Sequence, residues 1–151
     1  MLTGRQLIGL RVRDSGSGKN LGRISDIFAD AASGQVRGFA VAGEAWLSRT
    51  MFLPAFAVES IGLGGVMAEA AALKRLPNRA QTATSWRGAV LRSSRGRDLG
   101  VVSDVVLDEG RIAALEISGG LWADAADRRS LVAWDSLRPE ADGSFIRHNG
   151  K

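Results

Sequence analysis

Hydrophobic and polar residues alternate along this chain in short runs. VRGFAVA (36–42) and IAALEIS (112–118) put Phe39 and Val41, or Leu115 and Ile117, on one side of an extended strand, which predicts four core residues. LGRISDIFAD (21–30) breaks the alternation: Ile24 and Ile27 stand three apart, as do Val102 and Val105 in LGVVSDVVLD (99–108). A flat strand would send such a pair to opposite faces, so a bulge or sharp bend is predicted near each Ser-Asp, as barrel corners require. Runs of about 5 to 8 residues, parted by Gly-containing turns and not by helical crossovers, predict antiparallel all-β structure. AEAAALKRL (68–76) is the exception, since good helix formers ahead of Pro77 predict a short helix and linker.

The two Ser-Asp runs are one pattern written twice. Leu21-Gly22, Ser25-Asp26 and Asp30 recur 78 positions later as Leu99-Gly100, Ser103-Asp104 and Asp108. The match extends over the whole unit: Gly9 falls on Gly88, residues 36–46 on 112–122, and MFLPAFAVESI (51–61) on SLVAWDSLRPE (130–140). The offset changes only between strand-like runs, where loops tolerate insertions. Two copies are therefore expected, over residues 1–76 and 84–151. Six or so short strands per copy would leave open edges in a flat sheet, so two small barrels in tandem are predicted. A core that small is marginal alone, which favours packing of the copies together or a homodimer.

Composition narrows the chemistry. The chain has 151 residues and no cysteine, which excludes disulfides, thiolate zinc sites and cysteine nucleophiles. No apolar run reaches the roughly 18 residues of a membrane span, and the charged start MLTGRQLIGLRVRD lacks the apolar stretch of a signal peptide. A cytoplasmic protein without membrane insertion is expected. The net charge of +4 is mild and evenly mixed; the one basic cluster is Arg87, Arg92, Arg95 and Arg97 around a Gly/Ser-rich turn, the place to look for RNA or phosphate.

These residues resemble the PRC-barrel domains, known from the H subunit of the photosynthetic reaction centre and from the C-terminus of the ribosome maturation factor RimM. The resemblance rests on Gly9, Leu21-Gly22, Ile24, Asp26, Ile27, Val36 and Phe39, and again on Gly88, Leu99-Gly100, Val102, Asp104, Val105, Ile112 and Leu115. Leu53-Pro54 fits the later strand of the pattern, whereas the second copy has Val132-Ala133 there. It implies small SH3-like antiparallel barrels that act as adaptors for protein partners. The sequence has neither the transmembrane helix of an H subunit nor the separate N-terminal domain of RimM, so neither specific task carries over.

Candidate catalytic groups are few. Asp26 and Asp104 could resemble an acid/base pair, but each sits in its own copy beside a bend, where a carboxylate accepts backbone N–H groups; with Gly22 and Gly100 they are read as turn-shaping residues. Asp30 and Asp108, at hairpin starts, are read in the same way. His148, the single histidine, is read as a tail residue without a positioned partner. DSGSGKN (14–20) lacks the spacing of a phosphate loop and is read as a polar hairpin. Trp46 and Trp122 recur at equivalent positions and either cap the core or anchor a partner. The expectation is thus a non-enzymatic adaptor, with no catalytic or metal residues and no cofactor, binding a protein through Trp46, Trp122, Arg95 or Arg97. An RNA- or ribosome-associated factor is the alternative.

Overall fold

A computed structural model describes residues 1–44, 49–78, 82–119 and 130–148. Thirteen strands among these residues form two sheets of the same design. In the first copy they are β2 (Arg11–Asp14), β3 (Asn20–Ala29), β4 (Val36–Ala42), β5 (Met51–Pro54), β6 (Val58–Gly62) and β7 (Gly65–Ala68), paired in the order β5-β4-β3-β2-β7-β6. In the second, β8 (Val90–Ser93), β9 (Asp98–Asp108), β10 (Arg111–Ser118), β11 (Ser130–Ala133), β12 (Leu137–Pro139) and β13 (Phe145–Arg147) repeat it as β11-β10-β9-β8-β13-β12. All neighbours are antiparallel except β2 with β7 and β8 with β13.

The bend required by the three-residue spacing is present in both copies. The ladder between β3 and β4 steps from Ile24↔Val41 to Asp26↔Ala40, leaving Ser25 unpaired, and that between β9 and β10 skips Ser103. One extra residue re-aims the side chains beyond it, so Ile24 and Ile27, like Val102 and Val105, all point into the core and are buried. Phe39, Val41, Leu115 and Ile117 are buried as their alternation predicts.

Two expectations are corrected. The sheets are not closed barrels: β5 and β6, the ends of one path, are joined by the three-residue 3₁₀ turn Ala55–Ala57 and do not pair with each other. The outer edge of β5 is instead occupied by Lys74, which exchanges both backbone hydrogen bonds with Phe52 at 2.7 and 3.0 Å. That pairing also removes the helix expected over 68–76. Ala68 ends β7, only Ala70–Ala72 make a 3₁₀ turn, and Leu73 is already extended, so tertiary pairing overrides propensity.

The sequence pattern gave no sign of how the copies interlock. β1 (Leu2–Thr3), at the start of copy one, pairs with Leu107 and Val106 on β9 of copy two. Reciprocally, Thr82, ahead of copy two, bridges to Phe28 on β3 of copy one. The hairpin tips meet through Val36 N–H to the Gly110 carbonyl (3.0 Å) and Ile112 N–H to the Gly34 carbonyl (2.7 Å). Gln35 thus bridges to Arg111, its own equivalent, which places a pseudo-two-fold axis between them. One hydrophobic cluster runs through both halves, from Leu7 and Ile27 to Val105 and Phe145. Marginal cores have been merged into one.

Candidate interaction surface

Each repeated aspartate sits at its bulge and accepts the N–H of the next residue, Ile27 on Asp26 and Val105 on Asp104, both at 2.8 Å. The remaining acceptor capacity reaches across to the other copy. Asp26 takes the Thr84 hydroxyl at 2.9 and 3.0 Å. Asp104, only 2% exposed, takes the Arg5 backbone N–H at 3.2 Å and faces the Arg5 guanidinium at 3.3 Å. The same guanidinium donates to both oxygens of the Glu116 carboxylate at 3.0 Å, and the Ser103 hydroxyl donates to Glu116 at 2.9 Å. Arg5 rides on the helical turn α1 (Gly4–Leu7), fixed by a capping box between Thr3 and Gln6. Arg5 and Thr84 occupy equivalent places, so the aspartates clasp the start of the opposite copy.

Gly22 and Gly100 complete the bend. Their φ angles are +134° and +132°, and a Cβ on Gly100 would lie 2.6 Å from the Ser118 carbonyl oxygen. Only glycine meets both demands. At the hairpins, the Ser33 hydroxyl and Ala32 N–H hold the Asp30 carboxyl below the ordinary range, with Arg37 adding to the effect. In the DSGSGKN hairpin, Asp14 is lowered first by the Ser17 hydroxyl and then by the Ala70 N–H. Asp14 thereby ties this loop to the segment after β7, as the bond from Ala70 N–H at 3.1 Å shows.

The other sequence-derived candidates are dispersed. Arg95 and Arg97 are exposed at the tip of the β8–β9 hairpin, where both backbone N–H groups donate to the Ser93 hydroxyl. Arg87 precedes β8 and lines the crevice between the copies beside Thr84 and Asp104, so it does not extend a basic face with them. Arg92 lies near Asp142, whose carboxyl is lowered chiefly by Ser144 and further by that arginine. Trp46 and Trp122 lie outside the described residues. His148 is exposed, yet it is not a loose tail residue: its N–H bonds the Ser136 carbonyl at 2.7 Å, just as Glu69 N–H bonds Ala57 in copy one.

Two other tryptophans shape the surface. Trp86 and Trp134 are buried and stacked with centroids 5.4 Å apart, and both meet Phe145 edge-on at 5.9 Å. Their equivalents in copy one are Leu7, Ala55 and Val66, far smaller side chains. Copy one instead carries much of the exposed apolar surface, with Met1 and Phe56 each 83% exposed and Leu63 67%. The Ala55-for-Trp134 exchange was visible on aligning 51–61 with 130–140, but without the fold nothing said which side chains faced inward.

The model for the PRC-barrel domain family matches the chain twice, over residues 1–73 and 81–147. No curated protein matches it. No helix among the described residues is long and apolar enough to cross a membrane.

Proposed function

The chain belongs to the PRC-barrel family, and on that premise we propose that it is a non-enzymatic cytoplasmic interaction module. One observation carries this reading. The repeated carboxylates, the groups best suited to acid/base chemistry, are engaged in clasping the two copies, while Met1, Phe56 and Leu63 leave an apolar surface on copy one. Exposed apolar groups gathered at one end mark protein contacts more readily than small-molecule turnover.

Affinity capture from the native cell with tagged protein, with and without nuclease, tests the proposal. Capture of a protein partner that survives nuclease and falls on Leu63→Asp is the expected outcome. Recovery that nuclease abolishes, and that weakens steeply with salt and on replacing Arg95 and Arg97, would establish the RNA-associated alternative.

A further inference from the structure

The two 3₁₀ turns that follow β5 and β11 differ in a complementary way. In copy two the turn reads Trp134-Asp135-Ser136: Trp134 is buried, and Asp135 is solvated and pairs with Arg111 at 3.3 Å. In copy one it reads Ala55-Phe56-Ala57, so the inward position holds a methyl group and the aromatic stands one residue later, exposed.

The consequence is a vacant slot. Trp134 packs against the opposite hairpin so closely that a Cβ on Gly34 would lie 2.5 Å from its indole nitrogen. At the equivalent Gly110 a Cβ would meet nothing within 4 Å. Between Gly110 and Ala55 lies a cleft of about 540 Å³, walled by Leu7, Val36, Phe39, Val58 and Leu63. Its rim carries Asp108 and Glu109, neither of them ion-paired among the described residues. The groove on the other side of Phe56 is basic on balance: Asp30 lines it and pairs with Arg37 at 3.8 Å, and Lys74 and Arg75 add two further positive charges.

We propose that the cleft receives Phe56 of a second copy, and that two chains exchange these side chains about a two-fold axis to form a homodimer. Phe56 adjoins Ala55 on the same short turn, but its own side chain lines the basic groove and not this cleft. A two-fold axis beside the turn brings each phenyl ring to the partner's slot, since in such an interface every contact is made twice. The basic flank of each Phe56 then faces the acidic rim of the other cleft, which fixes the register. Trp134 serves as the internal precedent that an aromatic ring fits this site. The inference rests on reading this end of copy one as an interaction surface, and it names a second copy of the chain as the occupant.

Sedimentation equilibrium of the full chain from micromolar to millimolar concentration tests it. The wild type is expected to dimerise, with Phe56→Asp weakening association by at least about 100-fold because both copies of a buried anchor are lost together. Ala55→Trp is expected to fill the slot from within and give a folded monomer, verified by an unchanged far-UV spectrum. A wild type that is monomeric throughout, or a dimer unaffected by both substitutions, overturns the proposal. If the chain is monomeric but Phe56→Asp abolishes capture of a cellular protein, self-association falls and the interaction surface stands. If Phe56→Asp changes neither mass nor capture, both readings fall.

Discussion

At Asp104 a single carboxylate shapes a bulge through Val105 N–H and grips Arg5 from the opposite copy. Replacing it with Asn keeps the size but leaves a guanidinium facing a neutral group. Because the Arg5 side chain is 45% exposed, solvent screens part of the loss. Asp104→Asn is expected to cost about 1–3 kcal/mol, read from urea denaturation. Gly22→Ala is expected to cost about 3 kcal/mol or more, because it meets both an unfavourable φ and the Ala42 carbonyl. Asp14 gives a pH-dependent counterpart. Its carboxyl titrates below the ordinary range in the fold, so its stabilisation is present above that range and is lost as pH falls through the lowered value. Asp14→Ala should therefore lower the melting temperature at neutral pH, with the gap to wild type closing on acidification. The role of Asp26 and Asp104 at a bend was legible from Ser-Asp beside paired hydrophobics. Their grip on Thr84 and Arg5 was not, since those partners lie 58 and 99 residues away.

At the level of elements, strands were legible wherever one face is buried. Phe39 and Val41, or Leu115 and Ile117, alternate because one face of β4 and of β10 lies on the main core. Ala40, in a small second cluster with Phe28 and Phe52, and Glu116, ion-paired with Arg5, are buried on the other face without spoiling the pattern. The segment 68–76 misled because a helix of nine residues is marginal in water whatever its propensity, whereas Lys74 gains two backbone hydrogen bonds exchanged with Phe52 on the edge of β5. The open sheet edges were equally hidden, since closure depends on where the 3₁₀ turns at Ala55–Ala57 and Trp134–Ser136 send the chain. The aromatic cluster behind the second turn holds that half together. Trp134→Ala is expected to destabilise by about 3–5 kcal/mol in chemical denaturation, as removing a large buried aromatic does.

Across the whole molecule, the repeat proved to be more than duplication. Leu2 and Thr3 extend the sheet of copy two, Thr82 touches that of copy one, and the hairpin tips bond across the pseudo-dyad. Reciprocity of this kind leaves neither copy complete alone. A fragment ending at residue 78 should lack cooperative unfolding, and mixing it with the complementary fragment should restore it, as followed by far-UV circular dichroism. The central claim, that two copies form one cooperative unit, is tested most directly by native-state hydrogen exchange at Ile24 and Val102, equivalent core amides in the two copies. In wild type the two should open with the same free energy, and Gly22→Ala, confined to copy one, should lower both by the same amount. Loss of protection at Ile24 with Val102 unchanged would contradict it.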